Sequence, residues 1–311
     1  MDDLIRQTPA KRPLARAAEL FAQHYEKSAF YILLLWCLLP VIMSLNYFVT
    51  GMLGGYPSEA ELVKAGLKLG EVNYQKAITV YHTLFYILGA ISFCFVLLCL
   101  VFCRKRVFSL RSVQKMPWFY LFAGFLVWAG ICTIFADNRD GALLGDAYMR
   151  DGFVSYCVYG SVFLCASTIR REDYRRKILR CFVAVISYLA LIMLIQEATD
   201  NAFINYIFSS RRAAVFNQFN HFGYMLCMAI ITLVGLFLYD REARKGLRWM
   251  YLVGALYLSY ALVINNTFGA MLAVIAALPA VLAFYVRSGR KLNRRAVAII
   301  LILVLLAGLC F

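Results

Sequence analysis

Long apolar stretches alternate with short polar gaps along the whole chain, and within each stretch the apolar residues run continuously rather than every second position. A bilayer core about 30 Å thick is crossed by about 20 residues of α-helix. Continuous apolar runs predict helices, because the strands of a membrane barrel alternate in polarity. Nine stretches reach or approach the required length, at 29–50, 78–103, 117–136, 153–169, 179–197, 219–239, 250–264, 268–286 and 296–311. The pattern therefore predicts an all-α fold, a polytopic transmembrane helix bundle of nine spans, the seventh extending into Asn265 and Asn266. Pro40 and Pro279 fall inside spans, where neighbouring helices make proline tolerable. Ahead of the first stretch, the segment Leu14–Lys27 predicts a short amphipathic helix on the membrane surface. The chain is thus expected to divide into a basic lead, residues 1–28, and a transmembrane domain, residues 29–311. The first stretch begins late and lacks a small-residue cleavage site, so it is expected to remain as an anchor.

Charge orients these spans. All but seven of the 32 Lys and Arg lie in every second gap: the lead up to Lys27, then Arg104–Lys115, Arg170–Arg180, Arg241–Arg248 and Arg287–Arg295. Cytoplasmic loops retain Lys and Arg, so this alternation predicts a polytopic inner-membrane protein with its N-terminus inside. The outer gaps are then 51–77, 137–152, 198–218 and a tight turn at Asn265-Asn266-Thr267, and nine spans put Phe311 outside. The composition agrees, at 63% hydrophobic and 16% charged residues, against about 45–50% and about 25% in ordinary soluble domains. The net charge of +15 would suggest nucleic acid in a soluble protein. Its placement instead fits topology and attraction to anionic membrane lipids, so no nucleic acid partner is expected. The ten cysteines lie in or beside apolar stretches without a CxxC pair or zinc spacing, and no cofactor or metal is expected.

The seven exceptions are Lys64, Lys68, Lys76, Arg139, Arg150, Arg211 and Arg212. No Walker A, GxGxxG or GxSxG motif is present, so chemistry is sought on the expected outer face. Arg139 and Arg150 lie in one loop among four Asp, which suits either local ion pairs or anion binding. Arg211 and Arg212 precede Asn217, Gln218, Asn220 and His221 at the start of the sixth span. Arginine grips phosphate through paired N–H donors, and a helix start adds backbone N–H groups. The competing reading makes these polar residues helix caps or interhelical hydrogen bonds. Gln196-Glu197 and Tyr81-His82 are weaker polar spots beside or inside spans.

Three segments resemble the O-antigen ligase and polymerase family of bacterial membrane glycosyltransferases. Arg211–Leu226 looks like that family's Arg-x-x-x-x-Phe-x-x-x-Asn stretch, with Arg211, Phe216 and Asn220 in step, or Arg212 if the register slips by one. Gly141–Gly145 with Arg150–Gly152 is similar to its Ala-Leu-x-Gly and Arg-x-x-Gly segment. Asn265–Ala273 resembles its Thr-x-Ser-Arg-Gly-Ala-x-Leu-Ala stretch, with Phe268 where many members carry Arg. The resemblance covers roughly residues 110–285. It implies transfer or polymerisation of an oligosaccharide from an undecaprenyl-pyrophosphate donor to a glycan or lipid acceptor. Arg211, Arg212 and Arg150 would hold the pyrophosphate, with Asn217, Asn220 and His221 lining the site. Stabilising the leaving group and activating the acceptor hydroxyl would carry the reaction. The family's proposed base, a His, lies in a large outer loop, which here would begin at Phe311, so the chain is expected to be the N-terminal part of a longer protein or a truncated gene product. The alternative is a lipid-linked glycan flippase or other transporter, against which stands the near absence of charge inside the spans.

Overall fold

The computed structural model describes residues 11–53, 69–103, 117–145, 152–199, 212–216, 218–240 and 242–289. Every regular element among them is an α-helix, as the continuous apolar runs require. They are α1 (Lys11–Leu53), α2 (Leu69–Phe102), α3 (Pro117–Ile134), the short α4 (Arg139–Leu144), α5 (Phe153–Thr168), α6 (Glu172–Thr199), α7 (Phe219–Tyr239), α8 (Lys245–Asn265) and α9 (Phe268–Arg287). Six helical stretches among the described residues are long and apolar enough to cross a membrane: Glu19–Val49, Val80–Phe102, Glu172–Thr199, Phe219–Tyr239, Lys245–Asn265 and Phe268–Arg287. Shorter apolar helices occupy Phe119–Ile134 and Phe153–Thr168. Large apolar side chains such as Val101, Val253 and Phe284 are exposed on these helices, at 72%, 62% and 69%. A water-facing protein would be aggregation-prone with such a surface, and the chain is a multi-pass membrane protein. The ninth apolar stretch, 296–311, lies outside the described residues.

Helix boundaries differ from the apolar runs in three informative places. The expected surface helix at Leu14–Lys27 is not a separate element but the first part of the uninterrupted α1. No Gly or Pro separates Lys27 from Ala29, and a buried stripe of Tyr25, Ala29, Ile32 and Leu33 runs straight through the expected boundary. The fifth apolar run is preceded by two charged turns, because Glu172 and Asp173 in the first turn suit the positive end of the helix dipole. The seventh run extends mainly at its start, to Lys245, and ends at Asn265, where Asn266 adopts a left-handed cap (φ 61°, ψ 36°). Asn tolerates that conformation better than most residues, so the predicted tight turn is realised and α9 starts two residues later.

The chain forms two compact units, one from the residues up to Trp36 with His82–Arg175, the other from Cys37–Tyr81 with the residues from Arg176 onward. The first unit is joined by aromatic and small-residue contacts. Trp36 Nε1 donates to Ser92 Oγ at 2.9 Å, and Phe85 packs edge-on against both Trp36 and Tyr159. Gly89 lets α2 approach α5, since a Cβ there would lie 2.5 Å from Val158 Cγ2. Small residues at such crossings let membrane helices pack closely where hydrophobicity alone offers no preference.

The second unit holds a contiguous apolar core. Ile186, Leu189 and Met193 of α6 join Phe222, Leu226 and Ile230 of α7, Leu258 and Leu262 of α8, and Met271, Val274 and Leu278 of α9. Their three- and four-residue spacings place one face of each helix inward. Tyr47 of α1 completes the cluster, and Ser44 Oγ meets Tyr188 Oη at 3.1 Å.

At the end where α7 stops and α8 starts, a polar cluster ties three helices together. Asp240, the cap residue of α7, is 2% exposed. Arg180 of α6 donates to its carboxylate, Tyr251 of α8 donates at 2.9 Å, and Arg180 Nε donates to Tyr251 Oη at 2.7 Å. Arg176 lies 3.6 Å from the other carboxylate oxygen and also pairs with Glu242. Burial pushes the Asp240 carboxyl up, but hydrogen bonds from Arg180 and Tyr251 and the two guanidinium charges outweigh it and hold it below its ordinary value. A carboxyl depressed in the folded state stabilises the fold above its unfolded pKa of about 4 and loses that contribution as pH falls through the folded value. Asp240→Ala leaves Arg180 without its carboxylate and Arg176 with Glu242 alone, and is expected to cost on the order of 2 kcal/mol. In a detergent melting assay it should lower the Tm at pH 7 and flatten the acid limb between about pH 5 and pH 2. An unchanged acid limb would show that the cluster does not hold the helices together.

Candidate functional site

At the opposite end of α7 the structure gathers the segment that the sequence singles out. Arg212 lies just ahead of α7 and is bound to Glu197 near the end of α6, through Nη2 at 2.7 Å and Nε at 3.3 Å. This pairing raises the guanidinium's already high pKa, so Arg212 stays charged. Its Nη1 donors form no hydrogen bond among the described residues. The side chain is 41% exposed, so it is reachable from outside the fold.

The backbone here leaves helical geometry. Arg212 and Ala214 both have positive φ, 66° and 50°. Each costs about 1–2 kcal/mol for a residue with a Cβ, which surrounding contacts must offset. Ala213, Ala214 and Val215 are buried, Phe216 N donates to Ala213 O at 2.9 Å, and Phe216 stacks on Phe222 with centroids 5.6 Å apart. These contacts pin the strained loop to the first turn of α7.

Asn265, fully buried at the end of α8, supplies the central tie. Its Nδ2 donates to Arg212 O at 2.8 Å and to Phe219 O at 3.0 Å. Its Oδ1 accepts from Thr267, whose hydroxyl also approaches Phe219 O at 3.3 Å. One amide therefore satisfies a strained-loop carbonyl and a helical carbonyl at once. Gly223 makes this possible, because a Cβ there would lie 2.6 Å from Asn265 Oδ1 and closer still to Thr267. The approach of α9 to α7 continues at Gly269, where a Cβ would meet Tyr224 Oη at 3.0 Å.

The predicted site residues divide accordingly. Arg212 is placed beside Glu197, while Asn220 and His221 are exposed on the first turn of α7. Gln218 precedes that turn without a side-chain cap; its carbonyl accepts from His221 N at 3.2 Å, and the Phe219 and Asn220 N–H groups have no acceptor among the described residues. Arg211, Asn217 and Arg150 lie outside the described residues. Of the two weaker spots, Glu197 is the partner of Arg212, and neighbouring Gln196 is fully buried with neither amide atom paired among the described residues. An unpaired buried amide costs about 1–3 kcal/mol. The described flanks of the family-like loop, up to Gly145 and from Gly152, lie close together in the first unit. Asn138 caps α4, Gly145 takes φ 82°, and Gly152 sits directly against the Gly145 amide, where no Cβ fits.

Sequence reasoning missed two things. It read Asn265 and Thr267 as a turn at the start of a family-like stretch, not as the brace of the Arg212 loop. It also read Arg176 and Arg180 only as members of a basic run and did not single out Asp240, and nothing in their spacing reveals that Tyr251 completes a buried cluster. Comparison with known proteins adds no assignment, since no family model, curated protein or solved structure matches the chain.

Asn265→Leu removes both bonds to main-chain carbonyls and is expected to cost about 2–3 kcal/mol. Gly223→Ala should cost about 1–3 kcal/mol through overpacking against Thr267. Limited proteolysis of the purified protein should then cut faster near residues 205–216 in both variants. Cutting at the wild-type rate would sink the assignment of Asn265 as the brace.

Proposed function

We propose that this chain is the membrane-embedded part of a bacterial enzyme of the O-antigen ligase and polymerase type. In this reading it spans the cytoplasmic membrane nine times with its N-terminus inside and its C-terminus outside. It acts at the outer face on an undecaprenyl-pyrophosphate-linked oligosaccharide, passing it to a glycan or lipid acceptor. One observation carries the proposal. Two of the family-like segments, 211–226 and 265–273, are separate in sequence yet interlocked through Asn265, Thr267 and Gly223.

The chemistry available there suits a pyrophosphate. Arg212 offers charged donors that Glu197 orients but does not exhaust. The uncapped start of α7 offers the N–H groups of Phe219 and Asn220 and the positive end of a helix dipole. Asn220 and His221 stand exposed on the same turn, within reach of a ligand at that surface. Arg211 precedes Arg212 directly and would add a second guanidinium. Donors held by strained backbone need no reorganisation as negative charge builds on the departing pyrophosphate. Phe268, exposed at the first residue of α9, replaces the Arg common in the family, which leaves the pyrophosphate to the 211–212 pair.

Arg211→Ala combined with Arg212→Ala should reduce transfer from a lipid-linked donor in a membrane assay by at least about 10²-fold, the usual cost of losing a transition-state donor. Insertion and the amount of protein in the membrane should be unchanged, and undiminished transfer would refute the assignment. The orientation is tested separately with alkaline phosphatase, which is active only outside. Fusion after Gly145 should be active and fusion after Arg244 inactive, whereas the reverse pattern would invert the topology.

A further inference from the structure

The second unit carries a groove that the proposed reaction does not use. It has a volume of about 570 Å³ and lies among α6, α7 and α8, with Arg180 and Tyr251 at one end and Ser187 and Tyr257 at the other. Its volume falls within the about 300–1,000 Å³ typical of small-molecule sites. Small residues open it: Ala184, Gly246 and Gly254 line it, and Gly254 leaves Leu233 as its nearest neighbour. Its walls are otherwise apolar, with Val183, Leu247 and Val253 among them. From Gly246 to Tyr257 the lining descends about 16 Å along α8 at 1.5 Å per residue, roughly half of a bilayer core. At the far end Tyr257 donates to Ser187 O at 3.1 Å, which closes the floor without an unpaired polar group.

The mouth is positive. Arg180 is neutralised by Asp240, but Arg244 and Lys245, which directly precede Gly246, are exposed and have no acidic partner among the described residues. We infer that this groove holds one acyl chain of an anionic phospholipid, with the headgroup phosphate at Arg244 and Lys245. Charge decides among the occupants. A second copy of the chain in the same membrane would bring an identical basic mouth to the same depth. The chain's own apolar segment 296–311 is preceded by Arg290, Lys291, Arg294 and Arg295, which would add like charge. An anionic headgroup above an acyl chain complements both parts of the groove, and basic pockets between membrane helices select such lipids.

Native mass spectrometry of the purified protein tests this, with added phosphatidylglycerol and phosphatidylcholine of identical chains. Expected is retention of one phosphatidylglycerol with at least tenfold preference over phosphatidylcholine. Arg244→Gln with Lys245→Gln should reduce that preference to twofold or less, and Gly254→Leu, which fills the groove, should reduce retention of both lipids. The charge variants lie at exposed positions, so they remain informative if Gly254→Leu fails to fold. Equal retention of the two lipids, or an unchanged preference in the charge variant, overturns the inference. So does a dimer that Gly254→Leu dissociates, or a disulfide formed between cysteines placed at Gly254 and within 296–311. None of these readouts depends on glycan transfer.

Discussion

A buried backbone carbonyl that leaves its helix has no water to turn to, and Asn265 is where this chain meets that constraint. The loop at Arg212 departs from helical geometry, so its carbonyl must find a donor within the protein. A neutral amide on the end of a neighbouring helix supplies it without burying a charge. The same amide reaches Phe219 at the start of α7, and so fixes the distance between the strained loop, the helix that follows it and the turn into α9. Thr267 orients the amide, and Gly223 leaves room for it. The position of Arg212, and with it the chemistry proposed for this end of the molecule, follows from that junction.

The two ends of α7 solve the problem of polar groups beside lipid in different ways. At Asp240 a buried charge is retained because two guanidinium groups and a phenol surround it. At Asn265 all the partners but Thr267 are main-chain atoms, and no ion is buried. Ion pairs of the first kind lock helix ends together and leave little capacity for a ligand. The second kind leaves the charged Arg212 at the surface with donors to spare. Between them the helix buries only apolar and small side chains, including Leu226, Ile230 and Leu233. Rigid packing along that length keeps the two polar ends from sliding relative to each other.

Arg176 and Arg180 show how one residue type serves two purposes. In the charge pattern along the chain they are part of a topogenic run. In the fold they converge on Asp240. Arg244 and Lys245 belong to the next run and stay exposed beside an open groove. Charges that the sequence pattern treats alike thus differ in their surroundings: Arg176 and Arg180 are spent on Asp240, and Arg244 and Lys245 are left to the proposed headgroup.

What the sequence determines by itself is that the described apolar stretches are helices, since a continuous run of apolar residues in a membrane has no alternative that satisfies its backbone. It also determines the turn at Asn265-Asn266-Thr267, because Asn is suited to the left-handed cap. The charge alternation and the family-like segments single out Arg212, Asn220 and His221, although periodicity alone does not tell which polar residues are ligands and which are braces. Only the tertiary structure decides that Asn265 and Gly223 hold the Arg212 loop, that Glu197 rather than solvent meets its guanidinium, and that Tyr251 completes the Asp240 cluster. Those contacts join residues tens of positions apart. Each depends on the angle and depth at which two helices cross, and the composition of a single helix does not encode that angle. The same reason explains α1: its apolar run begins at Ala29, but the helix begins at Lys11 because burial of Tyr25, Ala29 and Ile32 along one face carries it through the polar lead.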